Sequence, residues 1–137
     1  MGEHNLHILS AEDDLDDQFI IEKALIESGI KAEIDFVTDG EGLIKKLTEY
    51  CMVKCPDLVL LDLNMPNING FQALKEIKYD DTIRDVPVVV LTTSGNQNHR
   101  SLCKMLGADS FITKPDSFDG FVSTIKSIIQ NHLLSDS

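Results

Sequence analysis

Five side chains with the capacity for chemistry lie at the ends of short apolar runs. Carboxylates held close together repel one another at neutral pH, so they raise one another's pKa values or bind a cation. Oxygen ligands with no His or Cys nearby favour a hard ion, Mg²⁺ above Mn²⁺. An amine and a hydroxyl beside such a site would stabilise charge on a transferred group. The five residues are Glu12, Asp13, Asp62, Thr92 and Lys114.

The elements that would position these residues alternate between strands and helices. Continuous apolar runs at Leu58–Leu61 and 86–91 are typical of strands buried on both faces. Residues Ala32–Val37 alternate apolar and polar positions, as a half-buried strand does. Two more strands are predicted, one in the apolar run that begins at Leu6 and one at Ser110–Thr113. Each of the five predicted strands is followed by an amphipathic helical stretch.

This alternation predicts a doubly wound α/β domain, with a five-stranded parallel sheet and helices on both faces. Ligands of such sheets bind outside the carboxyl ends of the strands, where the strand order reverses. The carboxylates, hydroxyl and amine would therefore converge on one edge. With a divalent ion bound, a carboxylate oxygen would remain free to attack a phosphoryl group, which is a design for aspartyl phosphorylation.

Length and charge narrow the possible functions. The chain has 137 residues, 23 acidic against 12 basic, and a net charge of -11. This size predicts one domain with no room for a fused effector. The acidic balance argues against nucleic-acid and membrane partners, and no apolar run approaches the roughly 20 residues of a membrane span. No signal peptide is visible near Met1, so a cytoplasmic location is expected.

Three cysteines, an odd number, indicate reduced thiols. Cys51 and Cys55 have no second pair or histidine at metal-binding spacing, so we expect structural or incidental thiols.

The chain contains four motifs at the ends of its predicted strands. They are Ile-Leu-Ser-Ala-Glu-Asp at 8–13, Leu-Leu-Asp-Leu-Asn-Met-Pro at 60–66 with Gly70 eight positions past Asp62, Val-Leu-Thr at 90–92, and Phe-Ile-Thr-Lys-Pro at 111–115. Together these motifs resemble those of the receiver domain of response regulators in two-component signalling. The resemblance implies a single receiver domain over 1–137, with an ordered core of about 6–133 and the flavodoxin-like strand order 2-1-3-4-5. Residues 12–25 and the loop 64–70 look like stand-alone receivers that serve phytochrome-like kinases.

By this resemblance, Asp62 is the phosphoacceptor. Asp13 and Asp62 would bind Mg²⁺, or Mn²⁺, through their carboxylates. The backbone carbonyl of Asn64 would add a ligand, and Glu12 would act through water.

The resemblance also assigns residues that respond to the phosphoryl group. Thr92 would follow it as a switch hydroxyl, and Lys114 would pair with a phosphoryl oxygen. Phe111 occupies the position of the family's aromatic switch. The bond between Lys114 and Pro115 is expected to be cis.

Four further polar residues are not assigned to the chemistry. Asp16 and Asp17 are interpreted as acids that favour the first turn of a helix. Thr93 stands where receivers usually carry a smaller Ala or Ser, and it would narrow access to the phosphoryl group. Asp116 stands where an apolar residue is more usual, which alters the neighbouring partner surface.

The function implied is that of a stand-alone response regulator. A histidine kinase or phosphotransfer protein would supply the phosphoryl group, and the output would be altered binding to an unidentified protein target. The chain would be no enzyme beyond promoting its own phosphorylation and dephosphorylation. A homodimer is compatible with this reading.

Three other functions fit the residues less well. A haloacid dehalogenase-type phosphatase needs a second acid two residues after its nucleophile, where this chain has Asn64. A flavodoxin-like flavin carrier would place its phosphate near the acids after the first strand, which would repel it. A degenerate receiver that serves only for docking conflicts with the intact set of Asp13, Asp62, Thr92 and Lys114.

Overall fold

The computed structural model describes residues 5–65, 69–93 and 95–132. Residues 66–68 of the second motif, Ser94, and Leu133 at the expected end of the core lie outside these ranges. All five strands pair in parallel in one sheet, in the order β2-β1-β3-β4-β5. The predicted fold class and strand order are therefore confirmed. The strands are β1 Leu6–Ala11, β2 Ala32–Val37, β3 Leu58–Leu61, β4 Val88–Thr92 and β5 Ser110–Thr113.

Five helices connect the strands and cover the sheet on both faces. Side-chain caps begin four of them: Asp14, Asp39, Asn69 and Asn96 each accept a hydrogen bond from a first-turn amide. None of the helices in the described ranges is long and apolar enough to cross a membrane. The helices are α1 Leu15–Glu27, α2 Gly40–Cys51, α3 Gly70–Tyr79, α4 Gln97–Met105 and α5 Phe118–His132.

The core consists of two apolar layers, one on each face of the sheet. In β3, Val59 and Leu61 contact the layer formed with α2 and α3, whereas Leu58 and Leu60 contact the layer formed with α1 and α5. Because side chains alternate across a strand, only a continuous apolar run fills both layers. In the edge strand β2, partly buried and exposed residues alternate from Ala32 to Phe36, as predicted.

The burial of α4 differs from the apolar pattern of its sequence. Leu102, Met105 and Leu106 mark this segment as a helix, but Met105 is 78% exposed and Leu102 is 38% exposed. Cys103 is the buried residue of this helix. The helix contacts the edge strand β5. At an edge, a helix covers less of the sheet, so a narrower stripe is buried.

The prediction of reduced thiols is wrong for two of the three cysteines. Cys51 and Cys55 form a disulfide. The chain turns back after α2, because the amides of Val53 and Lys54 both donate to the Tyr50 carbonyl, at 3.0 and 2.7 Å. This turn returns Cys55 to the end of the helix. Cys103 remains a free thiol, and burial raises its pKa to about 11.

Candidate functional site

Backbone hydrogen bonds fix Glu12, Asp62 and Lys114 at the carboxyl edge of the sheet. Glu12 and Asp62 directly follow β1 and β3, and their amides donate to the neighbouring strand; the Asp62 amide reaches the Ala11 carbonyl at 3.1 Å. The Lys114 amide donates to the Thr92 carbonyl at 2.8 Å. The parallel ladder thus continues one residue past these strands, which sets the positions from which the side chains start.

The ammonium of Lys114 lies at the centre of the site. Its Nζ is 2.7 Å from Glu12 Oε1, 2.6 Å from Asp17 Oδ2 and 2.9 Å from Asp62 Oδ2. Burial by itself lowers the pKa of Lys114, but the hydrogen bonds to Asp17, Glu12 and Asp62 outweigh it and raise that pKa. Lys114 therefore carries its positive charge throughout the physiological range.

The carboxyl group of Glu12 is only 2% exposed. Burial is the main reason that the pKa of Glu12 is raised to about 7, and the nearby charge of Asp62 also raises it. The hydrogen bond from Lys114 and its positive charge act in the opposite direction and lower this pKa. Its Oε2 accepts a hydrogen bond from the Asp14 amide at 3.1 Å. One ammonium thus faces more carboxylate charge than it neutralises.

The carboxylate of Asp62 is buried and held through both oxygens. Oδ1 accepts hydrogen bonds from the Thr92 hydroxyl at 3.0 Å and from the backbone amide of Asn64 at 3.1 Å. Oδ2 accepts from Lys114. Thr92 is fully buried, so its hydroxyl has a fixed place beside the carboxylate.

Three carboxylates are close enough to share one cation. Oxygen atoms of Glu12, Asp13 and Asp62 all lie within 4.8 Å of one another. Asp13 is exposed, whereas the other two are buried. This all-oxygen donor set fits a hard divalent ion such as Mg²⁺ or Mn²⁺.

Gly70 allows α3 to begin against the loop that follows Asp62. A Cβ at this position would lie 2.5 Å from Leu63 Cα and 2.9 Å from the Asp62 carbonyl oxygen. The Gly70 amide also donates to the Leu63 carbonyl at 3.3 Å. The glycine eight positions past Asp62 is therefore required by close backbone approach.

The structure brings Glu12, Asp13, Asp62, Thr92 and Lys114 together, as predicted from their places at the strand ends. The backbone amide of Asn64 donates a hydrogen bond to Asp62 in this site. The role of the Asn64 backbone carbonyl as a metal ligand stays a prediction.

The two predictions made around β5 have different outcomes. Phe111 is partly buried, with the guanidinium of Arg100 4.8 Å from its ring and bonded to its carbonyl at 3.0 Å. Its switch role stays a prediction. The cis bond predicted before Pro115 is wrong, since the Lys114–Pro115 bond is trans. The trans form is the intrinsically favoured one, and in it Lys114 already reaches all three carboxylates.

Asp17 is the site residue that sequence reasoning missed. The sequence pattern predicts only a favourable acid in the first turn of a helix, whereas in the structure the Asp17 carboxylate contacts Lys114 Nζ at 2.6 Å. Helical spacing offered a signal, because Asp17 lies four and seven residues before the buried Ile21 and Ala24. Asp16 lies three and seven residues before the exposed Phe19 and Lys23, and it remains exposed.

Comparison with known proteins identifies the family. Residues 8–126 match the model for the response regulator receiver domain. The chain is 32% identical over 123 residues to the probable methanogenesis regulatory protein FilR2 of Methanothrix harundinacea, covering 88% of this chain and 79% of the relative. It is 32% identical over 124 residues to the response regulator Rcp1 of Synechocystis, covering 88% and 84%. Longer relatives also match: the chain spans 38% of the phosphate regulon regulator PhoB of Escherichia coli, with 37% identity over 92 residues.

Solved structures give the same result. The phosphorylated cyanobacterial phytochrome response regulator RcpA superposes with a TM-score of 0.88 at 34% identity, over 98% of both chains. The Mn²⁺-bound form of Rcp1 has a TM-score of 0.83 at 30% identity, over 96% of this chain and 97% of Rcp1. The receiver domain of the Pseudomonas aeruginosa sensor kinase PA1611, with magnesium in its active-site cleft, has a TM-score of 0.74 at 26% identity, over 94% and 98%. The motifs, the fold and these similarities agree, and the chain belongs to the response regulator receiver domain family.

Proposed function

We propose that this receiver accepts a phosphoryl group on Asp62 from a histidine kinase or a histidine phosphotransfer protein. One observation carries the proposal: the buried Asp62 carboxylate lies between the Thr92 hydroxyl and the Lys114 ammonium, with Glu12 and Asp13 beside it. A nucleophile, charge-stabilising donors and cation ligands are thereby present in one site.

The transfer balances without any further reactant. An Asp62 carboxylate oxygen attacks the phosphorus of a phosphohistidine, so that an O–P bond forms and the N–P bond breaks. The imidazole leaves with the electron pair and takes a proton from solvent. Lys114 and Thr92 lie where charge would develop on the transferred oxygens, and their N–H and O–H groups would stabilise it.

A divalent cation would be held by the carboxylates of Asp13 and Asp62, by the Asn64 carbonyl and, through water, by Glu12. The cation would neutralise negative charge on the phosphoryl group of the phosphohistidine and on the carboxylates. The bound metals of the Rcp1 and PA1611 structures support this reading.

The remaining parts of the proposal concern signalling. Thr92 moves toward the phosphoryl group, Phe111 rotates, and the surface around α4, β5 and α5 changes its affinity for a protein target. The domain acts as a cytoplasmic phosphorelay component and turns over no substrate other than its own phosphoryl group. The similarity to RcpA and Rcp1 supports a phytochrome-associated kinase as the donor.

The decisive experiment uses acetyl phosphate, with and without MgCl₂, and intact-mass detection of the phosphoryl adduct. We expect Mg²⁺-dependent labelling of the wild type and none of Asp62→Asn, which is nearly isosteric and keeps the fold. Asp116→Asn is the matched control, since it removes an exposed carboxylate close to Lys114 and is expected to label normally. Labelling of Asp62→Asn at the wild-type level would exclude Asp62 as the acceptor.

A further inference from the structure

The three N–H donors of the Lys114 ammonium are all engaged before any phosphoryl group arrives. Glu12, Asp17 and Asp62 each provide one carboxylate oxygen within 2.9 Å of Nζ. A lysine ammonium has three donors and no acceptor. A new oxygen can therefore be bound only if one of these partners is released or weakened.

Phosphorylation of Asp62 creates this competition. The phosphoryl group adds about −1.5 to −2 of charge and three acceptor oxygens next to Nζ. The Asp62 carboxylate loses its own charge as it becomes an acyl phosphate, so one phosphoryl oxygen can take its place on Lys114 without releasing another partner. The ammonium can bind a second phosphoryl oxygen only if Glu12 or Asp17 is released, so these two carboxylates compete with the more highly charged phosphoryl group.

Asp17 is the partner that is released most easily. Its side chain is 24% exposed, whereas that of Glu12 is 2% exposed and also holds the Asp14 amide. A buried carboxylate that loses its ion pair is not stabilised by water in its place, whereas the partly exposed carboxylate of Asp17 can be hydrated. Asp17 and Lys114 line a cleft of about 340 Å³, toward which the released carboxylate has room to move.

We propose that Asp17 is a positioning residue that holds Lys114 in the unphosphorylated state and competes with the phosphoryl group for its ammonium. The inference rests on the proposed function, because it assigns Asp17 to the regulation of the same site. Asp17 would thereby lower the affinity of the pocket for a phosphoryl group and favour return to the unphosphorylated state.

The test measures the affinity of the full chain for beryllofluoride, a phosphoryl mimic, by calorimetry at saturating MgCl₂. Asp17→Asn keeps the size and an oxygen acceptor but loses the charge. We expect it to bind about fivefold more tightly, the factor for losing one partly exposed ion pair. Asp16→Asn is the matched control: it removes the same charge one residue away, at an exposed position, and is expected to bind as the wild type does. Asp17→Glu, which restores a carboxylate, is expected to return the affinity toward the wild-type value.

The outcomes separate this inference from the proposed function. If the wild type does not bind beryllofluoride with Mg²⁺, the proposed function fails and the inference fails with it. If the wild type binds but Asp17→Asn binds equally or more weakly, only the inference is overturned. Equal tightening in Asp16→Asn and Asp17→Asn would also overturn it, because the effect would then be one of overall charge. Melting curves of each variant, with Asp17→Ala as a second removal of the carboxylate, separate a change in affinity from a loss of folding.

Discussion

At the scale of single residues, the site is defined by an imbalance of charge. Lys114 pairs with Glu12, Asp17 and Asp62, and Asp13 lies within reach of the same cation position. Buried like charges destabilise one another unless they are paired. This imbalance favours the binding of a divalent cation, and under the proposed function the same buried ammonium would stabilise the phosphoryl group.

This imbalance leads to a prediction for Asp13. Mg²⁺ should raise the melting temperature of the wild type by mass action, since it binds the folded pocket. Asp13→Ala should lose most of that increase, and its metal-free form should melt at the same or a higher temperature because one repulsion is relieved. Differential scanning calorimetry with and without MgCl₂ measures both effects. An unchanged Mg²⁺-dependent shift in the variant would place the cation away from Asp13.

At the scale of elements, the start of α3 approaches closely the backbone at Asp62, which follows β3. A Cβ at Gly70 would collide with the backbone of Leu63 and Asp62. We expect Gly70→Ala to lower the free energy of unfolding by about 1–3 kcal/mol, because the helix start must move away from this loop.

Urea denaturation measures the cost of Gly70→Ala. Gln72→Ala, at an exposed position of the same helix, is the control and should change stability by less than about 0.5 kcal/mol. A Gly70→Ala variant as stable as this control would show that the loop accommodates a methyl group.

A second element-scale prediction concerns pH and the contact between β1, β2 and α2. The pKa of Asp35 is lowered by its hydrogen bond to His7 at 2.9 Å and then by that from the Tyr50 hydroxyl at 2.8 Å, with a further contribution from the charge of Lys46. Because the folded-state pKa lies below the unfolded value, this carboxylate stabilises the fold above the unfolded pKa. That stability is lost as the pH falls through the folded-state pKa.

Asp35→Asn should therefore lower stability at pH 7 and flatten its dependence on pH below about 5. The effect should stay below about 1 kcal/mol, since the side chain is half exposed. Unfolding curves from pH 7 to 3 give the measurement, with Glu33→Gln on the exposed side of the same strand as the control. Parallel pH profiles for Asp35→Asn and the wild type would contradict the assignment.

At the scale of the whole molecule, the sheet connects the site to the surface that is proposed to respond to phosphorylation. Thr92 and Thr113 are paired in β4 and β5, and Phe111 lies two residues earlier on β5, under the guanidinium of Arg100 from α4. Thr92 is therefore separated by one strand from the exposed surface of α4 and β5, so that a displacement of Thr92 would be transmitted through β5. A ligand of the active state shifts the population only by its differential affinity for two such arrangements.

We expect beryllofluoride with Mg²⁺ to shift the backbone amide signals of α4, β5 and α5 more than those of α2. Thr92→Ala should still accept a phosphoryl group on Asp62 but lose most of this distant response. Two-dimensional amide spectra of both proteins provide the measurement. Shifts confined to the loops of the pocket, or the same distant shifts in Thr92→Ala, would contradict this route.

Local patterns in the sequence determined the fold and most of the site. The continuous apolar runs at β3 and β4 required strands buried on both faces, and their alternation with helices required parallel pairing. Since all parallel strands end at one edge, Glu12, Asp62, Thr92 and Lys114 had to meet there. These inferences hold because periodicity and chain direction are properties of short segments.

Only the tertiary structure decided features that depend on how one element is rotated or placed against another. The orientation of α1 turned Asp17 toward Lys114 and left the neighbouring Asp16 in solvent. The packing of α4 against the edge strand buried Cys103 and exposed Met105, which lie on opposite sides of the helix. Likewise, the turn after α2 joined Cys51 to Cys55. The physical reason is common to all three: a local pattern fixes which residues share a face, whereas packing fixes what that face meets.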